Sequence, residues 1–410
     1  MYSLLSGMRV VEASSFVACP TAGLYLAQMG AEVIRVDQIG GGPDFRRWPQ
    51  APGGGSYYWE GLNKGKLSVA LDLSGPEGRE LLARLATAPG EQGGVFLTNF
   101  PVNGFLSWDN LSALRRDLVL TRVMGRADGG PALDYTVASA LGIPFITGPE
   151  SLGDEPVNAV LPAWDLLTGA YAAFATLAAL RHRDRTGEGQ EVRVPLADVG
   201  IATIANLGQL AETLHGGDRK RYGNDVFGAF GRDFTTRDGQ RFILMAITPR
   251  QWTGLVSVLG IGEGVAAIEK ARDTSFATDE GERFRHRDAL FPLVEQAVAR
   301  RDGEELARAL EAAGCCWGPY RRMEQAVRDP ETVGANPLFS EIAQPSGETY
   351  AVPGAMATLP ACDRQQPRPA RPLGADTERV LTDLGGLDSG EFARLVDRGI
   401  VGVTDREQRP

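Results

Sequence analysis

The chain has 410 residues, 43% hydrophobic and 23% charged, which is the balance of a soluble globular protein with room for two domains. A net charge of −10 argues against nucleic acid or an anionic membrane as the main partner. Four cysteines without a C-x-x-C and three scattered histidines argue against zinc and against a disulfide framework.

Val10-Val11, then Pro20 to Met29, then Glu32 to Asp37 read as strand, helix, strand with short connections, a parallel βαβ unit. The turn after the first strand is Ser14-Ser15-Phe16-Val17-Ala18-Cys19-Pro20, with no G-x-G-x-x-G, so dinucleotide binding loses its main support. Two glycine triplets, Gly40 to Gly42 and Gly53 to Gly55, bracket Asp44, Arg46, Arg47 and Trp48. That loop reads either as flexible surface or as a lid whose Arg46 and Arg47 meet a carboxylate. Ser68 to Asp72, Val95 to Thr98 and Leu118 to Val123 add three strands, and Ser74 with Glu77 has capping-box spacing for a helix to about Ala86. The turns at Asn99-Phe100-Pro101 and from Gly125 to Gly130 follow strands, where open α/β sheets bind ligands.

Pro162 breaks any earlier helix, and Asp165 opens a small-residue helix through Leu180 that its composition predicts to be buried on most sides. An aspartate there reads either as a plain N-cap or as a positioned nucleophile. The apolar run after it is too short and broken to suggest a membrane span, and no signal-peptide pattern opens the chain, so a cytoplasmic location is expected. Glu191 to Pro195 is a further strand and Ala197 to Leu214 a helix. Composition then changes: residues 201–222 read as a linker and 223–329 as a small domain with a hairpin around Arg237 to Gln240 and charged helices. Residues 1–200 and 330–410 are assigned to the large domain, the latter Pro-rich and extended to Pro372 and closing with two helices.

Several segments, in order over nearly the whole chain, resemble the family III CoA-transferases. They are the opening G-x-R-V-V-E of Gly7 to Glu12, Leu26 to Val36, Asn63-Lys64-Gly65-Lys66 through Leu73, Thr186 to Gln190, and Pro372-Leu373-Gly374. A narrower likeness is to members that move CoA between the two carboxyl groups of one unsaturated dicarboxylate. It rests on Ala88 to Glu91, Thr98 to Pro101, Asp134 to Val137, Ala159 to Asp165 and Gly228 to Phe234.

The resemblance implies an α/β fold with a Rossmann-like large domain, completed by the C-terminal segment, and a small α+β domain. It also implies a homodimer of interlinked rings. It places the nucleophile at Asp165 and CoA, as part of an acyl-CoA substrate, at Val17, Ala18, Lys66, Leu71, Asp72, Leu73, Ser74, Asn99, Phe100, Pro101, Gly125 and Arg126. No metal, prosthetic group or redox cofactor is called for. The implied reaction is intramolecular CoA transfer through aspartyl intermediates; the alternative is transfer to a separate acid. Three departures stand out. Leu133 occupies the place of a histidine that racemases of the family use, the small domain lacks a run of four glycines, and Gln38 replaces an arginine expected near adenine.

Overall fold

Near-continuous apolar runs, covered on both faces, explain the centre of the large unit. In the computed structural model, which describes residues 1–404, the strands in chain order are β1 (Arg9–Ala13), β2 (Glu32–Gln38), β3 (Leu67–Leu71), β4 (Val95–Thr98), β5 (Val119–Met124) and β6 (Gln190–Pro195). Then come β7 (Phe230–Thr235), β8 (Arg241–Ala246), β9 (Cys316–Pro319), β10 (Phe339–Ala343), β11 (Thr349–Pro353) and β12 (Val401–Gly402). One seven-stranded sheet runs β12-β3-β2-β1-β4-β5-β6, parallel except for β12. Val11, Ile34, Val69, Phe96 and Leu120 pack on one face with the helices Pro76–Ala86, Thr377–Asp383 and Ser389–Asp397. Val10, Val33, Leu97 and Val119 pack on the other with Ala18–Gln28 and Ala163–Thr186. β1, β2, β4 and β5 therefore feed two cores, as buried parallel strands do.

The chain divides into two compact units. The large one comprises Met1–Leu141, Val160–Ala211 and the chain from Pro330, and the small one Gly142–Ala159 and Glu212–Asp329. Residues 142–159 thus leave the large domain in which the sequence reading put them. The cause is visible at Arg221, whose guanidinium donates to the carbonyls of Thr147 and Glu155 and ties that excursion to the small unit. The expected linker at 201–222 is largely helical, spanning part of Leu196–Asn206 and all of Gln209–Gly216. The small unit is a β7-β8-β9 antiparallel sheet over Phe230, Trp252, Phe276 and Phe291. In the large unit, β10 and β11 form a hairpin inside the stretch read as extended.

The Asp165 helix runs further than its apolar pattern implied, from Ala163 to Thr186, and stops at Gly187 with φ +73°. By length and composition it could cross a membrane, which corrects the expectation that the run was too short. One face, Thr168, Gly169, Ala172, Ala173, Thr176 and Ala179, is buried against Ala18–Gln28 and the sheet; a single core helix of this kind is a weak sign of a span. The opposite face is exposed rather than buried, with Tyr171 at 53% and Phe174 at 64%.

Candidate active site

A helix returning towards a parallel strand starts at the carboxyl end of the sheet, so the N-terminus of Ala163–Thr186 lies where ligands bind in such folds. Asp165 is the third residue of that helix, and Pro162 holds the cap position without a side-chain bond. Another carboxylate does the capping. Asp134, buried at the start of Asp134–Ala140, accepts from the backbone N–H of Trp164 at 2.7 Å and of Asp165 at 3.0 Å with Oδ2. The plain N-cap reading of Asp165 is therefore wrong: a neighbouring element has taken the free amides. Burial, and then the charge of Asp134, push the Asp165 carboxyl up to about 6, against the opposing pull of Arg47.

Arg47 reaches this neighbourhood over two aromatic rings, with its guanidinium 5.7 Å from the Phe16 centroid and 5.5 Å from that of Tyr58. Tyr58 is pushed up to about 12, mainly by burial, with Asp44 and Asp165 adding to it. Arg46 points elsewhere. It lines a separate cavity with Phe45 and Trp59, so the structure brings only one of the two arginines to Asp165.

The turn after β1 is fixed at several points. Phe16 stands at φ +67°, which bulky residues avoid, and its N–H donates to Asp44 Oδ2 at 3.0 Å. Asn99 donates to Ser15 O at 2.9 Å and accepts from Ser15 N at 3.1 Å. Beneath the turn lies a buried ionic group that the sequence reading missed, in which Arg35 pairs with Glu12 at 2.9 Å, Asp37 at 2.8 Å and Asp44 at 3.5 Å. Its sequence signal was Arg35-Val36-Asp37 and Glu12 within otherwise apolar strands. Burial drives the Asp37 carboxyl above its ordinary range.

Lys66 belongs to this group rather than to a ligand site. Its ammonium is buried, donates to Pro20 O at 2.9 Å and Asn63 Oδ1 at 3.0 Å, and forms an ion pair with Glu12 at 2.9 Å, so its charge is already matched inside. Leu71 is likewise closed to a ligand, since its side chain is core and its backbone pairs with Gln38 and Val401. Val17 and Ala18 have buried side chains, which leaves only their backbone to offer. Gln38 closes the end of β2 onto the next turn, donating to Asp72 at 3.2 Å and accepting from Leu73 N at 2.8 Å. Asp72 also accepts from Ser74 N and from its hydroxyl, and Gly75 rather than Ser74 holds the cap position of Pro76–Ala86.

Beyond β4 and β5, Asn99, Phe100, Pro101 and Gly125 line one cavity of about 640 Å³ with Arg193 on its wall. Arg126, in the same turn, is exposed and pairs with Asp128 at 3.2 Å. Arg193, which the sequence reading passed over, pairs with Glu191 at 2.6 Å. Arg122 shapes this edge from below: fully buried, it donates to the carbonyls of Phe100 at 2.8 Å, Pro101 at 2.9 Å and Leu106 at 2.7 Å. Among the described residues no group of three or more His, Cys, Asp or Glu could hold a metal ion.

The family model for CoA-transferase family III matches residues 5–377. The chain belongs to that family. Among family relatives it is 46% identical over 409 residues to the 2-methylfumaryl-CoA isomerase of Chloroflexus aurantiacus, covering 99% of this chain and 100% of that one. It is 31% identical to the succinate–glutarate CoA-transferase of Agrobacterium fabrum, over 94% of this chain and 96% of the other. A crystal structure of a CAIB/BAIF family protein from Brucella suis superposes with a TM-score of 0.75 at 27% identity, covering 94% and 100% of the two chains. Rv3272 from Mycobacterium tuberculosis gives 0.74 at 26% identity, over 92% and 99%. As a family III enzyme the chain retains Asp134 beside Leu133, which is exposed and carries no proton-transfer group.

Proposed function

We propose that this family III CoA-transferase is an isomerase that moves CoA from C1 to C4 of 2-methylfumarate (mesaconate), with Asp165 as nucleophile. The observation that carries the reading is an Asp165 carboxylate released from capping by Asp134 and within reach of the Arg47 charge, in a chain 46% identical over its length to a 2-methylfumaryl-CoA isomerase. Asp165 attacks the thioester carbonyl, giving an acyl–aspartyl anhydride and CoA thiolate. The thiolate attacks the aspartyl carbonyl, leaving CoA on Asp165 and the diacid free. The diacid's other carboxylate attacks that thioester, and the thiolate released then attacks the new anhydride at its substrate carbonyl. Product forms and the Asp165 carboxylate is restored.

Basicity decides how steep the first step is. With a thiol near 8.5 and an ordinary aspartate near 3.9 the gap is about 4.6 units, roughly 6 kcal/mol uphill. With Asp165 at about 6 the gap falls to about 2.5 units, roughly 3 kcal/mol. Burial that raises the carboxyl thus makes it a better match for the thiolate it displaces. Arg47 is assigned to the substrate's free carboxylate. CoA is assigned to the backbone at Val17 and Ala18 and to the Asn99–Gly125 cavity. CoA enters as part of the substrate, and the scheme draws on no prosthetic group.

The trans double bond of mesaconate keeps its carboxyl groups apart, so a cyclic anhydride cannot carry CoA across and an enzyme group must. Turnover of unlabelled mesaconyl-C1-CoA in excess deuterated mesaconate is expected to give the C4 isomer almost free of label, because re-attack within a closed site outruns capture from solution. Relatives named for transfer between separate acids, at 31% identity and below, favour the second reading, an intermolecular transferase. Label entering as fast as isomerisation would establish that one instead.

A further inference from the structure

Arg47 is exposed, yet its place is set from two sides. Its backbone N–H donates to Asp44 O at 3.1 Å, and Ser56 Oγ donates to its carbonyl at 2.6 Å. Each of those partners also fixes an aromatic residue. The Asp44 carboxylate, buried and paired with Arg35, accepts from the N–H of Phe16 at 3.0 Å. Ser56 caps the helix Tyr57–Asn63, accepting from Trp59 N at 3.1 Å, and the first turn of that helix carries Tyr58. The Arg47 guanidinium thus stands 5.7 Å from the Phe16 ring centre and 5.5 Å from that of Tyr58. On the reading that Arg47 meets the substrate's free carboxylate, we infer that Phe16 and Tyr58 are positioning residues. They hold the guanidinium for that carboxylate and so select acyl groups that carry one.

A ring face attracts a guanidinium by its charge and leaves the N–H donors unused. Among the described residues the Arg47 guanidinium has no salt bridge or hydrogen bond, so its planar fork stays open for a carboxylate. The Tyr58 phenol, pushed up to about 12 mainly by burial, stays neutral and sets no rival negative charge beside the arginine. Phe16 reaches Arg47 at a cost to its backbone, since φ is +67°, where a side chain of this size is seldom found. Glycine takes that conformation without strain, so the ring is what phenylalanine adds at this position. An acyl group of equal length that ends in a methyl leaves the fork unmatched. The selection is therefore for the terminal carboxylate, whichever acid finally accepts CoA.

The test is calorimetric titration of the full-length protein with two thioethers of equal length, S-(3-carboxypropyl)-CoA and S-butyl-CoA. Neither has a thioester carbonyl for Asp165 to attack, so binding alone is read. The wild type is expected to bind the carboxylate about tenfold or more tighter, and Arg47→Gln to lose that preference. Phe16→Leu and Tyr58→Leu should each cut the preference about threefold, and together about tenfold, with S-butyl-CoA binding unchanged. Phe16→Tyr, which keeps a ring, should retain it. A preference lost in Arg47→Gln but intact in both leucine variants would overturn the role of the rings and leave the assignment of Arg47 standing. A preference absent from the wild type, or intact in Arg47→Gln, would overturn both. Equal losses for the two thioethers in the leucine variants would place the rings in CoA binding or in folding, and would overturn the selection as well.

Discussion

A carboxylate in the first turn of a helix ordinarily spends itself on the free backbone N–H groups there. In this chain Asp134 accepts from two of them, so Asp165 is left with a raised pKa and an unengaged side chain. Asp165→Asn is expected to abolish turnover, because the amide is a far poorer nucleophile. Stability should move the other way. The folded carboxyl titrates at about 6 against an ordinary 3.8, so its favourable contribution is complete below the lower value and is lost as pH rises through the upper one. The neutral Asn variant should therefore be more stable than the wild type above pH 6, by up to about 3 kcal/mol, with little gain near pH 4. Paired thermal melts at the two pH values check this, and equal shifts at both would refute it. Asp134→Asn keeps an acceptor for the two amides but removes the charge that raises Asp165. The acid limb of its kcat/KM profile is expected to move to lower pH, with measurable activity retained. An unmoved limb would show that burial alone sets the carboxyl.

At the scale of elements, the small residues of Ala163–Thr186 matter because they let that helix lie close to Ala18–Gln28. A Cβ on Gly169 would stand 2.5 Å from Ala18 O and 2.7 Å from Thr21 Cβ, a distance neither backbone nor packed side chain can yield. Gly169→Val is expected to push the two helices apart, cost about 1–3 kcal/mol and reduce turnover by displacing Asp165 from the turn at Phe16. Denaturant melts together with kcat measure both parts. A variant as stable and active as the wild type would mean that the close approach is dispensable. The turn itself is held from beneath by five buried charges: Glu12 from β1, Arg35 and Asp37 from alternate positions of β2, Asp44 from the loop after it and Lys66 from just before β3. Such a group specifies one arrangement of the loop, since any one member left unpaired would be costly.

For the molecule as a whole, the large unit leaves an apolar surface at Tyr171, Phe174, Leu177, Ile201, Leu207 and Leu210. We propose that a second copy of the chain covers it in an interlinked homodimer. Rings threaded through one another cannot part while folded, so dilution should yield either dimer or unfolded chain. Sedimentation at nanomolar concentration is expected to show dimer only. Folded, active monomer there would exclude interlinking. Phe174→Asp, on the same surface, should lower the yield of folded protein with little intrinsic effect on its own helix.

Order and type of the β1–β6 elements were legible in the residues, because strands buried on both faces are continuous apolar runs and the connecting helices carry their own stops, such as Gly187. The family resemblance was carried by local segments, and those survive without tertiary information. What side chains do once packed was not legible. Lys66 and Asn99 read alike as CoA contacts by resemblance, until the Lys66 ammonium is seen paired with Glu12 and bonded to Pro20 O and Asn63, and the Asn99 amide bonded to Ser15. Arg46 and Arg47 are indistinguishable in sequence, and only the path of the loop sends one towards Asp165 and the other into a separate cavity. The Asp134 cap spans thirty residues to Trp164, a pairing that no local pattern encodes. Periodicity and turn chemistry act between near neighbours and so can be read along the chain. Donor saturation, desolvation and the direction of a side chain depend on partners brought from far away, and only the folded structure decides them.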